Sequence, residues 1–296
     1  MLGNLTHTLK NEWLSVSVRE IGAELCRIKS VKSEKEYLWD GNPDIWASHA
    51  PVLFPIVGEL KEGTYYYEGN RYQLPRHGFV RNNPKVQCTD QSESSLTFSL
   101  EYDEDSLLVY PFRFRLSITY ALDGPRIVVQ HRVENLDDKT MYFSLGAHPA
   151  FCIPHHEHES YDDYYLEFAQ KETAARWLLT GKGLLSGETE PVLNDTAILP
   201  LRHELFSEDA LVFKKLVSSQ VSLRSKKSPE VVRVRYEDFP YLGVWAKPHG
   251  DYVCIEPWLG VADSADTDQQ LINKEGILEL DTGAIFNAAF TIEISE

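Results

Sequence analysis

The sequence predicts an all-β fold, a large antiparallel β-sandwich with a few short helices. Three observations carry that expectation. Apolar residues recur with a period of two along many short runs, as in strands with one covered face. Hairpin-type turn signals stand between the runs. Segments with helical spacing are few and short. No Pro/Gly/Ser-rich linker or fixed-period repeat divides the chain, so residues 1–296 read as one domain, a size that sandwiches reach as a single unit.

The first clear run is Trp13 to Arg19. Tyr65-Tyr66-Tyr67 and Arg71 to Leu74 then flank Glu68-Gly69-Asn70, a hairpin. Ser95 to Tyr102 alternates, and Glu104 to Tyr110 has room for two helical turns. Phe112, Phe114, Leu116, Ile118 and Tyr120 alternate with polar residues up to Asp123-Gly124, a second hairpin turn. Ile127, Val129 and Val133 continue beyond it, followed by Lys139 to Gly146. His203 to Ala210 and Asp268 to Glu275 are two further short helical candidates. Gln220 to Arg224, Val231 to Tyr236 and Ala288 to Ile294 complete the strands.

Composition narrows the function classes. Hydrophobic residues at 43% and charged residues at 25% are those of a globular protein, which excludes disorder and coiled coil. Lys and Arg number 29 against 45 Asp and Glu, a net charge of −16. Nucleic-acid binding needs a basic face, so no such partner is expected. Cysteines stand at 26, 88, 152 and 254 with no Cys-x-x-Cys pair, as reduced thiols in the cytoplasm would. Met1 to Lys10 lacks an apolar stretch, and Ala50 to Val57 is too short to span a bilayer. The chain therefore reads as cytoplasmic, without a membrane partner, and as a monomer or homodimer.

Common catalytic motifs are missing. There is no Gly-x-Ser-x-Gly elbow, and Gly181 to Gly187 matches neither nucleotide-binding pattern, so it reads as a surface turn. The tract His155-His156-Glu157-His158 has metal-ligating residue types, but its spacing does not converge on one ion. Cys152 has the apolar neighbours Phe151, Ile153 and Pro154, the setting of an inert thiol.

Two residues stand where chemistry is expected. His148 ends the run from Met141, behind Gly146-Ala147 and ahead of Pro149, which cannot continue a ladder. Glu256 ends the apolar run Tyr252 to Ile255, and desolvation there raises a carboxylate toward the range of a general base. Arg76-His77-Gly78-Phe79-Val80-Arg81 offers donors around a glycine, and Trp245 and Lys247 share one face of Leu242 to Lys247. Aromatic walls with a few fixed donors suit a sugar or other polyol.

These segments resemble the aldose 1-epimerase (galactose mutarotase) family, and within it the LacX-like branch. The matching stretches are Phe54 to Gly58 (FPIVG), Arg76 to Asn82 (RHGFVRN), Leu145 to Phe151 (LGAHPAF), Tyr252 to Asp263 (YVCIEPWLGVAD) and Leu271 to Leu280 (LINKEGILEL). The resemblance implies a galactose mutarotase-like supersandwich whose cleft binds a free sugar. It implies Glu256 as general base, His148 as general acid, and His77 and Arg81 as substrate contacts, with Trp245 and Lys247 also in the cleft. No metal and no cofactor are implied. Ser48-His49-Ala50-Pro51 stands where sugar-phosphate epimerases of the superfamily carry an arginine, which weighs against phosphate recognition. Three rivals remain in view: a non-catalytic sugar-binding protein, a glycoside-cleaving enzyme with Asp238 or Asp251 as second carboxylate, and a hexose-6-phosphate 1-epimerase using Arg76, Arg81 and Lys247.

Overall fold

The computed structural model describes residues 5–296, so the first four positions of the Met1 to Lys10 stretch lie outside the described residues. Among the described residues the largest sheet has 15 strands, all antiparallel to their neighbours. A three-stranded antiparallel sheet is formed by Thr6–Lys10, Leu14–Arg19 and Glu24–Ser30. No helix among the described residues is long and apolar enough to cross a membrane.

The period-two runs form strands as expected. Phe114–Asp123 and Arg126–Asn135 pair through the Gly124 turn, burying Phe114, Leu116, Ile118 and Tyr120 against Ile127, Val129 and Val133. Ile285–Ser295 extends the same sheet with Ala288, Phe290, Ile292 and Ile294 inward. Thr64–Tyr67 and Asn70–Gln73 close over Glu68 and Gly69, both at positive φ, as a type I′ turn requires. The helix Glu104–Val109 is held by a capping box, in which Asp103 and Ser106 each accept the other's backbone N–H.

Three expectations need correction. The run Lys139 to Gly146 is two strands, Met141–Phe143 and Leu145–Ala147, because Ser144 turns aside and donates its N–H to the Pro55 carbonyl. His203 to Ala210 and Asp268 to Glu275 contain only single 3₁₀ turns, His203–Phe206 and Leu271–Asn273. Gly181 to Gly187 does lie around the turn joining the long strands Tyr164–Leu179 and Leu185–Pro200, but Gly183 is buried rather than superficial. These two strands escaped notice because bulges shift their register repeatedly and scramble the alternation.

Tyr252–Leu259 is buried at every position, with covering on both faces. Beside it run Tyr241–Trp245 on one edge and, on the other, Leu145–Ala147 and Ala150–Cys152. The RHGFVRN segment crosses the end of this region. Gly78 bridges Phe54 in parallel, and Phe79 N–H donates to the Phe54 carbonyl at 3.0 Å. At Gly78 φ is +76°, and an added Cβ would stand 2.1 Å from the Phe54 carbonyl oxygen. Backbone against backbone leaves nothing to give way. Gly78→Ala is expected to cost about 2–4 kcal/mol in urea unfolding; a cost below about 0.5 kcal/mol would refute this account of the contact.

Candidate active site

Register alone brings the two best sequence candidates together. Gly146 pairs with Trp258 and Ala150 with Cys254, so the residue midway, His148, falls opposite Glu256. Pro149 interrupts the ladder there, although its carbonyl still accepts from Ile255 N–H at 3.2 Å. His148 Nε2 lies 3.3 Å from Glu256 Oε2. The row continues across the sheet through Gly243, Val212 and Trp177, each the cross-strand partner of the one before. A cleft of about 150 Å³ opens above it. It is lined by His77, Arg81, His148, Trp245 and Glu256, all anticipated, and also by Trp46, Glu59, Arg76, Asp209 and Trp258.

Lys247 does not join them. The strand ends at Trp245, and Lys247 is exposed in the turn to Gly250, with its N–H donating to Tyr252 Oη at 3.0 Å. Alternation therefore stops two residues short of it. The polyhistidine tract does not converge either. His155 is wedged edge-on between Tyr37 and Tyr164, while His156 bonds Glu230 and Lys35. Cys152 gives its thiol to the Glu36 carbonyl, and burial pushes it up to about 12.

Electrostatics of the floor follow from dryness. Glu256 is 1% exposed and His148 7%. Burial pushes Glu256 well above the usual carboxylate range; the Trp258 indole opposes this and the Asp209 charge adds to it. Burial lowers His148 to about 3, with the Arg81 charge in the same direction and Glu24 against it. Both shifts favour the uncharged form of each group, the carboxyl and the neutral imidazole. His77 is neutral as well: burial, then the charges of His148, Arg76 and Arg81, hold it well below its ordinary value. Its Nδ1 accepts the Gly58 N–H at 3.1 Å, so its proton sits on Nε2 as a donor.

Aromatic rings fix these groups. Trp46 stacks on His148 at 5.1 Å between centroids, and Trp245 meets it edge-on at 5.7 Å. The Trp258 ring lies over two glycines, where a Cβ on Gly146 or Gly243 would stand 2.8 Å or 2.5 Å from it. A second layer holds the segment Ser48-His49-Ala50. The buried Glu24 carboxylate accepts the N–H of His49 at 2.6 Å and of Ala50 at 3.1 Å, and pairs with Arg19. Burial works to raise Glu24, but bonds from His49 and the Arg19 charge outweigh it and keep it ionised. Ser48 Oγ in turn accepts from Arg81 at 3.0 Å.

Sequence reasoning passed over Trp46, Asp209 and Trp258. Trp46 and Asp209 lie in irregular segments with no period to place them, while Trp258 stood in plain view after Glu256-Pro257. Its position on the Glu256 face was available from alternation.

The aldose 1-epimerase family profile matches residues 6–258. The chain belongs to the aldose 1-epimerase family. It is 37% identical to the plasmid-encoded protein LacX of Lactococcus lactis subsp. lactis over 291 residues, 94% of this chain and 96% of that protein. It is 27% identical to human galactose mutarotase over 129 residues, 39% of this chain and 37% of that enzyme. The crystal structure of a galactose mutarotase related enzyme from Lactobacillus acidophilus superposes with a TM-score of 0.94 at 36% identity, covering 99% of this chain and 98% of that one. A galactose mutarotase-like protein from Lactobacillus casei gives 0.92 at 28% identity, over 98% of this chain and all of that one. The fold is thus the galactose mutarotase-like β-sandwich.

The raised Glu256 has a consequence for stability. The folded chain holds its proton to higher pH than the unfolded chain does. That contribution is complete below the unfolded pKa and is lost as pH rises through the folded one. Glu256→Gln is expected to gain roughly 2–6 °C in Tm relative to wild type between pH 4.5 and pH 8. Parallel melting curves for the two proteins over that interval would disprove the buried-acid reading.

Proposed function

We propose that the protein is a cofactor-independent mutarotase that interconverts the α and β anomers of an unphosphorylated hexose. The observation that carries this reading is the buried His148–Glu256 pair, 3.3 Å apart on the floor of the cleft.

In one direction the Glu256 carboxylate takes the proton from the C1 hydroxyl while His148 protonates the ring oxygen. The C1–O5 bond breaks and an aldehyde forms at C1. Rotation about C1–C2 presents the other carbonyl face. On closure His148 takes the O5 proton and Glu256 returns one to O1. The neutral pair that burial favours is the starting state for the half-reaction with the roles exchanged, so one proton serves both directions. Each positioned group contributes about 10²–10⁴-fold. The Nε2–H of His77 and the guanidinium of Arg81 donate to sugar hydroxyls, Asp209 accepts, and Trp46 and Trp245 present apolar walls.

The cleft disfavours the phosphate alternative. Arg81 is bonded to Ser48, Arg76 is paired with Glu59 at 3.0 Å, and Lys247 is outside. Glu59, Asp209 and Glu256 add acidic groups to the lining.

Polarimetry on freshly dissolved α-D-galactose and α-D-glucose tests the reading. Wild type should accelerate equilibration, and Glu256→Gln and His148→Asn should each lose about 10²-fold or more. A loss under tenfold for Glu256→Gln would sink the mechanism, and a tenfold preference for a 6-phosphate would establish the alternative substrate. After subtraction of the buffer rate, kcat should hold level from pH 7 to pH 5, because His148 gains its second proton only near 3. A fall centred near pH 6.5 would mean an ordinary, solvated histidine. Glu24→Gln, which keeps the shape but loses the charge, is expected to raise KM about tenfold with a smaller change in kcat, read from initial rates, as loss of an ionic hydrogen bond would. An unchanged KM would separate Arg81 from this second layer.

A further inference from the structure

Cys254 is fully buried and has no part in the proposed acid–base reaction, yet it lies beneath the cleft, close to His148 and Glu256. It lies two residues before Glu256 on one strand, so both side chains leave the same face. A ligand atom from each of His148, Cys254 and Glu256 lies within 4.8 Å of the others. Glu256 Oε2, the oxygen 3.3 Å from His148 Nε2, has no hydrogen-bond partner among the described residues although the group is buried. A nitrogen, a sulfur and an oxygen donor thus converge.

We propose that these three side chains form a binding site for a thiophilic divalent cation of the Zn²⁺ type, and that the cation competes with the sugar. Bonds of 2.0–2.3 Å in a tetrahedral zinc site set donor–donor separations at about 3.3–3.8 Å. The His148–Glu256 separation of 3.3 Å already meets this, and all three donor atoms lie within 4.8 Å of one another. His148 and Glu256 line the cleft, so the fourth tetrahedral position is expected on that side. A thiolate and a carboxylate would offset the charge of the dication, so the dry floor would hold a neutral cluster. Binding releases the thiol proton and the Glu256 carboxyl proton to solvent. The mixed N, S, O set selects zinc-like ions over Mg²⁺ and Ca²⁺, which take oxygen alone. The ion would occupy the atoms proposed to act on O1 and O5. Competition with sugar rests on the mutarotase reading; metal binding does not.

Co²⁺ serves as the probe on the full-length protein. One equivalent should develop a thiolate-to-cobalt charge-transfer band in the near ultraviolet, and excess Zn²⁺ should abolish it. Cys254→Ser should lose the band while the other three cysteines remain. In polarimetry Zn²⁺ should slow wild type competitively with galactose. Cys254→Ser should need at least tenfold more Zn²⁺ and keep its metal-free rate within about threefold of wild type, since the residue takes no proton in the reaction. Mg²⁺ should do nothing in either assay. No charge-transfer band at one equivalent, or an equal band in Cys254→Ser, would overturn the site whether or not the protein is a mutarotase. A Cys254-dependent band without sugar competition would overturn only the inhibitory role. If Cys254→Ser fails to fold, Cys254→Ala read by the same cobalt titration decides the point.

Discussion

The functional centre depends on one antiparallel register. Tyr252–Leu259 pairs with the Leu145–Cys152 region so that His148 falls opposite Glu256. A slip of one residue would turn every side chain of the strand to the other face and dismantle the site. Burial on both sides resists that slip, since each face has its own set of packing partners. Pro149 marks the one place where the ladder opens, and the opening is where His148 stands. The same register places Gly243 and Gly146 beside the pair, so the Trp258 ring can lie over their missing Cβ atoms.

Dryness does the rest. In water a carboxylate and an imidazole would titrate near their ordinary values and hold separate protons. On this floor the charged form of each is penalised, which favours the neutral carboxyl beside the neutral imidazole. The same burial brings the imidazole and the carboxyl close to the Cys254 thiol, the juxtaposition on which the proposed cation site rests.

The rim is built by different means. Trp46, Ser48 and His49 belong to an irregular segment, and irregular backbone must find partners for its N–H groups. Glu24 supplies them from the three-stranded sheet, and its charge is offset by Arg19. This places Ser48 under Arg81 and supports Trp46 over His148. The smaller sheet, remote in sequence from both catalytic candidates, so becomes a support for the cleft.

By itself the sequence determined the fold class, most strands of the large sheet, the helix at Glu104–Val109 and the chemical character of the floor. Alternation is a local property, and it carried the positions of His148, Glu256 and Trp245 because each lies on or beside a regular strand. The same property misled at Lys247, where the strand ends first, and at Lys139 to Gly146, where Ser144 breaks the run to reach Pro55. It was silent on Tyr164–Leu179 and Leu185–Pro200, whose bulges erase the period. Tertiary structure alone decided that residues 46, 77, 81, 148, 209 and 256 face one cleft. It also decided that Glu24 holds the rim, and that Cys254 stands close to His148 and Glu256. These juxtapositions join segments as far apart in the chain as Trp46 and Glu256, and the pairing of strands across the sheet fixes which of them meet.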